Sequence, residues 1–344
     1  MTSPSTFLVT GGNGYLGAWI VRTLLDAGHT VRTTVRDAVD SARYRHLHDM
    51  AAAAAGRLTL HRAALTDREA FQTAASGCTY VIHSASPFTI DLSKDPQRDI
   101  VDPAIAGTRN VLEAVNAVDS VRRVVLTSSI AATYGDAVEA RNRGGRPFTE
   151  ADWNTTSSIH HQPYPFSKAE AERTAWEIAR RQSRWDLVVL NPGFILGPAI
   201  APDTPGVSQT VMTNLARGVY RQGIPDIWYG IVDVRDVARA HMLACIMPEA
   251  NGRYLLVAES ESLWGIARRL RAAFGDAHPL PARKAPKPLL WLMAPQFGFT
   301  RRYVTRNVGH PISFDNTKSR RELKMEYTPI DTTLRDHFAQ VAGV

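Results

Sequence analysis

From residue 7 to residue 192, short apolar runs alternate with longer stretches in which apolar residues return every three or four positions. Phe7-Leu8-Val9-Thr10 is too brief for a helix and is bounded by turn formers, which predicts a buried strand. After Gly11-Gly12-Asn13-Gly14-Tyr15-Leu16-Gly17, residues Ile20, Leu24 and Leu25 share one helical face, and Gly28 closes that helix. Thr30 to Val35 predicts the next strand. Ser41 to Ala55 reads as a helix closed by Gly56, Arg57 to His61 as a strand, and Asp67 as the cap of a helix reaching Ala75. Tyr80 to His83, Val124 to Thr127 and Leu187 to Leu190 read as further buried strands, the last stopped by Pro192. Val101 to Val118 and Tyr164 to Arg181 carry helical periodicity, and the polar stretch 135–163 predicts a long loop. Strands alternating with helices in this way predict an α/β fold of Rossmann type, a doubly wound parallel sheet covered on both faces.

Past Pro192 the regularity weakens, and ten prolines from Pro198 to Pro295 break the chain into short pieces. Within them Val234 to Cys245 and Ser262 to Phe274 still read as helices and Arg253 to Val257 as a strand. The expected organisation is a dinucleotide-binding domain over residues 1–193, rejoined by segments near 227–247. A smaller C-terminal substrate-binding lobe, mainly 194–344, follows it.

Composition changes this picture little. The 344 residues are 44% hydrophobic and 21% charged, as in an ordinary globular protein. The net charge of +7 is dispersed, apart from Arg283 to Lys324, where ten basic residues face only Asp315 and Glu322. That zone lacks the interleaved aromatics of a nucleic-acid surface and suits a small anionic ligand better, so no nucleic-acid partner is expected. Cys78 and Cys245 are too few for a disulfide framework and read as buried apolar residues. His160 and His161 have no accompanying ligand cluster; they read as surface-loop residues, and no metal is expected. Met1 to Thr6 is short and polar, and the longest apolar patch, Leu289 to Ala294, is far below the roughly 20 residues of a membrane span. A cytoplasmic protein without membrane contact, monomeric or homodimeric, is the expectation.

The chemistry gathers at the ends of the predicted strands. Gly11, Gly14 and Gly17 follow a strand and open a helix, as a pyrophosphate-binding turn requires: a tight turn, close backbone approach, and helix packed on strand. Val35-Arg36-Asp37, at the end of the second strand, offers both an arginine for a 2′-phosphate and an acid for ribose hydroxyls. Arg36 comes first, with Arg43 and Arg45 on the next helix, and NADP(H) is the favoured cofactor. Ser128-Ser129 ends another buried strand, where either hydroxyl could cap a turn or orient a substrate carbonyl. Tyr164 precedes Lys168 by four residues, one helical turn, and no other tyrosine in the chain precedes a lysine at that spacing. By composition such a match arises by chance about one time in six. A phenol beside an ammonium ion, and beside the positive charge of an oxidised nicotinamide, is expected to have a lowered pKa. A packed tyrosine and a solvated lysine are the alternative.

Taken together, Val9 to Gly17, Thr34 to Asp37, His83-Ser84-Ala85-Ser86-Pro87, Leu126-Thr127-Ser128-Ser129, Tyr164 to Lys168, and Asn191-Pro192-Gly193 with Leu196-Gly197-Pro198 resemble the extended short-chain dehydrogenase/reductases. The nearest branch is that of dihydroflavonol, cinnamoyl-CoA and microbial aldehyde and ketone reductases, over residues 7–260. The resemblance implies a catalytic Ser129, Tyr164 and Lys168 and reversible NADPH-dependent reduction of a small-molecule aldehyde or ketone. It also implies cofactor contacts from Tyr15, Leu16, Arg36, Leu65, Ala85, Ser86, Thr127, Pro192, Gly193 and Ile195, and a substrate pocket at Phe88, Ile130 and Phe194. Where the family usually places an acid before the leucine after the third strand, this chain has Ala64-Leu65. The tail, with Trp291, Phe297, Phe299 and Arg301-Arg302, has no counterpart assignable from these motifs and is expected to shape or cover the substrate site. A nucleotide-sugar epimerase or dehydratase with bound NAD, and a non-catalytic nucleotide sensor, are the competing readings.

Overall fold

The computed structural model describes residues 4–85, 95–201 and 204–344; Ser86, Phe88 and Pro202, and the side chain of Phe297, lie outside them. The chain first alternates β1 (Thr6–Thr10), α1 (Tyr15–Asp26), β2 (Thr30–Val35), α2 (Arg45–Ala53), β3 (Arg57–Arg62), α3 (Arg68–Ala75) and β4 (Tyr80–His83). It continues through α4 (Asp102–Asn116), β5 (Arg123–Thr127), the short α5 (Val138–Asn142), α6 (Pro163–Ala179) and β6 (Asp186–Pro192). Caps fall where the residue types call for them: the Asp67 carboxylate accepts from the Ala70 amide at 3.0 Å at the start of α3. The predicted helix over 41–55 divides into a 3₁₀ turn at Ala42–Tyr44, capped by Ser41, and then α2.

Side chains alternate across each strand, so one strand feeds two cores. Phe7 and Val9 face one side with Ile20, Leu24 and Leu25 of α1, while Leu8 faces the other with Phe71 of α3 and Val111 and Leu112 of α4. β6 repeats the division: Val188 and Leu190 join the first core, Leu187 and Val189 the second. The resulting seven-stranded sheet runs β3-β2-β1-β4-β5-β6-β9 with every neighbouring pair parallel. Strand order reverses between β1 and β4, so their carboxyl ends open a crevice.

The later chain holds β7 (Phe194–Leu196), α7 (Val207–Ala216), β8 (Trp228–Asp233), α8 (Val234–Ile246), β9 (Gly252–Leu256), β10 (Glu259–Ser262) and α9 (Leu263–Phe274). The tail adds α10 (Lys287–Met293), α11 (Arg301–Asn307), α12 (Thr317–Glu322) and α13 (Ile330–Ala342). Two of these elements return to the large sheet: α8 packs on α1, and β9 pairs with β6. Most of the others build a separate core around a three-stranded sheet, β10-β8-β7, with Met212, Leu215, Ile231, Ile266, Leu270, Leu334 and Phe338 buried in it. Both cysteines are buried.

Candidate active site

The turn after β1 closes on itself, with the Gly14 amide donating to the Gly11 carbonyl at 3.0 Å. Gly11 has φ +74°, and a Cβ there would meet Ala85 Cα at 3.0 Å; on Gly17 a Cβ would stand 2.2 Å from the Gly11 carbonyl oxygen. Both positions need glycine because strand, helix and the end of β4 meet there. The Ala85 amide donates to Thr10 Oγ1 at 3.0 Å, and the same hydroxyl shares a 2.8 Å hydrogen bond with His83 Nδ1. Gly14 enters α1 with an extended backbone and no side-chain cap, and the first turn carries no acid. This positive helix end and its bare glycine backbone suit a pyrophosphate. Tyr15 leaves the turn to donate its hydroxyl to the Gly197 carbonyl at 2.6 Å, and Leu16 packs on the first core.

At the end of β2 the two candidates separate. Asp37 accepts from Arg43 Nη1 at 3.1 Å and from the Tyr44 hydroxyl at 3.2 Å. Arg36 is exposed and makes no hydrogen bond or ion pair among the described residues. The acid is thus occupied by its own neighbours, and the cation at the rim is available. Arg43, expected at a phosphate, lies against Asp37.

Ser129 ends the loop after β5 and caps the turn Ile130–Ala132 by accepting from the Ala131 amide at 3.1 Å. Its hydroxyl is also near enough to that of Tyr164 to lower the phenol's pKa. Tyr164 lies in the first turn of α6, behind Pro163, and Lys168 follows one turn on with Nζ 5.9 Å from the tyrosine ring centroid. Burial pushes the Tyr164 hydroxyl up to about 12, the Ser129 hydroxyl opposing, and burial brings Lys168 down to about 8 against the pull of Glu172. The lowered tyrosine pKa expected from the spacing is therefore reversed in the chain alone, because desolvation outweighs the opposing Ser129 hydroxyl.

The remaining expected contacts scatter. Thr127 Oγ1 turns inward to His241 Nε2 at 2.7 Å, and burial holds that histidine down to about 4. The Leu65 carbonyl accepts from Asn110, and Ile130 is buried with Leu255 and Val257. Pro192 ends β6, Gly193 lies against the Gly230 backbone, Ile195 pairs with Val232, and the Phe194 ring sits 5.1 Å from Tyr229. Trp153 packs under Arg253, 4.0 Å from its centroid.

His161 corrects the expectation of a surface loop. It is 4% exposed and binds Asp136, itself fully buried, at 2.9 Å. Asp136 also receives Arg306 and Asn307 of α11 and Gln162, so the stretch before Tyr164 is tied to the tail. Sequence reading missed this knot, whose partners lie up to 171 positions apart. It also missed Glu172, whose spacing, one turn past Lys168, could have exposed it. Among the described residues no group of three or more His, Cys, Asp or Glu could hold a metal ion, and no helix is long and apolar enough to cross a membrane.

Comparison with known proteins agrees with this geometry. Residues 7–257 match the NAD dependent epimerase/dehydratase family. A cinnamoyl-CoA reductase of Medicago truncatula is 35% identical over 337 residues, 95% of this chain and 93% of the relative. The structure of yeast methylglyoxal/isovaleraldehyde reductase Gre2 complexed with NADPH superposes with a TM-score of 0.79 at 24% identity, over 98% of each chain. That of Candida albicans Gre2 in complex with NADPH gives 0.79 at 25% identity, over 99% of each. With its glycine turn, its parallel sheet and these matches, the chain belongs to the NAD dependent epimerase/dehydratase family, the extended short-chain dehydrogenase/reductases, in the branch of the dihydroflavonol, cinnamoyl-CoA and microbial carbonyl reductases.

Proposed function

We propose that this oxidoreductase uses NADPH to reduce an aldehyde or ketone to the alcohol, with Tyr164 as the general acid. One observation carries the reading: the half-buried Tyr164 has Ser129 near enough to its hydroxyl to lower its pKa, and Lys168 one helical turn on, with Nζ 5.9 Å from the tyrosine ring. The cofactor assignment is supported by Gly11 and Gly17, where a Cβ would fill the cradle, and by Arg36, available for a 2′-phosphate while Asp37 is held by Arg43 and Tyr44. The NADPH in the similar Gre2 structures agrees with it.

NADPH, when bound, supplies a hydride to the carbonyl carbon. The residues of the chain do the rest. Ser129 donates a hydrogen bond to the carbonyl oxygen and fixes it beside Tyr164. A hydroxyl that holds its proton up to about 12 remains protonated at neutral pH, and Tyr164 gives that proton to the oxygen as negative charge develops there. Lys168, as an ammonium ion, stabilises the phenolate left behind and would bind the nicotinamide ribose hydroxyls. The smaller lobe faces the substrate with Phe194 and Tyr229, whose rings lie 5.1 Å apart. An aromatic or branched apolar carbonyl compound suits such a wall.

The test is a panel of aldehydes, ketones and acyl-CoA thioesters offered with NADPH and NADH in parallel. The expected result is oxidation of NADPH by at least one aldehyde or ketone, with NADH at least about tenfold poorer in kcat/KM, the scale of one charged hydrogen bond. No net oxidation of NADPH with any member contradicts the proposal.

A further inference from the structure

Glu172 is 1% exposed, yet it is a carboxylate on the same face of α6 as Tyr164 and Lys168, each one turn from the next. Its Oε2 accepts from Ser128 Oγ at 2.5 Å and from Asn191 Nδ2 at 2.8 Å; its Oε1 accepts from Arg253 Nε at 2.6 Å. Asn191 Nδ2 also donates to the Ser129 carbonyl at 3.1 Å. The carboxylate therefore joins the ends of β5 and β6, strand β9 and helix α6. Glu172 and Lys168 line one small cavity of about 20 Å³ together with His83, Thr127 and Ser128. Such a volume holds about one water.

A buried ion pair is weak evidence for stability, because desolvation offsets the attraction. Arg253 is equally buried, and its Nη1 is spent on the carbonyls of Glu150 and Asp152. A carboxylate placed one turn behind the lysine, and bonded to the strand ends that carry Ser128 and Ser129, has a use that stability alone does not explain. We propose that Glu172 is the positioning residue of the Ser129, Tyr164 and Lys168 set: it fixes the Ser128-Ser129 backbone against α6 and supplies the negative charge that faces Lys168. The inference rests on the reading of Tyr164 as the acid.

The groups facing Lys168 set the expected pH behaviour. Tyr164 and Glu172 come from its own helix and His83 from β4, while α4 presents Ala104 and Thr108 and β5 presents Leu126 to Ser128, none of which titrates in the working range. Burial, with Lys168 opposing the charged form, holds His83 neutral down to about 3. Among the described residues Glu172 is the negative group that raises the Lys168 pKa. Loss of the carboxylate lets the lysine lose its proton at lower pH.

The measurement is the pH profile of kcat for NADPH-dependent reduction by the full chain. In Glu172→Gln the alkaline limb is expected to move to lower pH by about one unit, with kcat at pH 8 reduced about fivefold and the Kd for NADPH within about twofold. Arg253→Met removes the competing cation and is expected to move the limb the other way. Ser128→Ala, which changes no charge, is expected to lower kcat about threefold or more with the limb in place. Limbs that stay at the wild-type pH, or that move together in both charge variants, overturn the charge role. An unchanged kcat in Ser128→Ala overturns the positioning role, and decides the matter if the charge variants do not fold. Full activity in Tyr164→Phe would instead sink the functional reading itself.

Discussion

Two influences compete at the Tyr164 hydroxyl, and burial prevails over the Ser129 hydroxyl that acts against it. A phenol held near 12 is a proton store, and the protonated form is the one that reduction needs at the start of each cycle. Tyr164 and Lys168 were legible in the sequence because their relation is local, four positions on one helix. The sign of the tyrosine shift was not, because desolvation depends on everything packed around the ring. The same limit applies to Arg36 and Asp37: adjacency offered both, and only the fold shows Asp37 engaged by Arg43 and Tyr44. Arg36→Ala is expected to raise the KM for NADPH by about 10- to 100-fold and to leave that for NADH nearly unchanged, the scale of one charge-assisted hydrogen bond. Equal loss with both cofactors in steady-state kinetics would remove Arg36 from the 2′-phosphate.

At the scale of elements, α6 enters on a residue that resists its conformation: Gln162 has φ 58° and ψ 62°, in the left-handed region. The Gln162 side chain donates to the Gly135 carbonyl and to Asp136, and Asp136 also holds His161, Arg306 and Asn307. Burial alone would raise the Asp136 carboxyl, but Arg306, His161 and Asn307 together hold it below the usual carboxylate range. A group whose folded pKa is depressed adds stability above its unfolded value, about 3.9, and that stability is lost as pH falls through the folded value. Asp136→Asn is expected to destabilise the protein by about 2 kcal/mol in chemical denaturation, because the buried His161 and the partly exposed Arg306 lose charge-assisted hydrogen bonds. It is also expected to slow turnover, since α6 begins two residues after His161. Unchanged stability and rate would reduce the knot to surface decoration. None of this was visible in the polar stretch 135–163, which periodicity reads as loop. Strand β7, three residues long, and β8, interrupted by Gly230 where Phe314 packs, escaped for a related reason: each is too short or too irregular to show a period of two.

For the whole molecule, the sheet and the smaller lobe have different legibility and, in our account, different duties. The sheet was readable because each strand carries a buried run between turn formers, and its strand order sets β1, which leads into the glycine turn, beside β4, and β4 beside β5, which leads to Ser129. The smaller lobe draws its core from residues as far apart as Leu196 and Phe338, with α13 docked on α7 and α9, and no local signal announces such a union. The proposed division gives the dinucleotide to the sheet and the carbonyl compound to the lobe, with Tyr164 as the acid. The most direct test is Tyr164→Phe, which removes one hydroxyl from a helix otherwise unchanged. The account predicts that NADPH still binds with a Kd within about threefold of wild type while reduction falls by at least about 10²-fold, the scale of a lost general acid. Reduction at the wild-type rate, with NADPH bound as before, would contradict it.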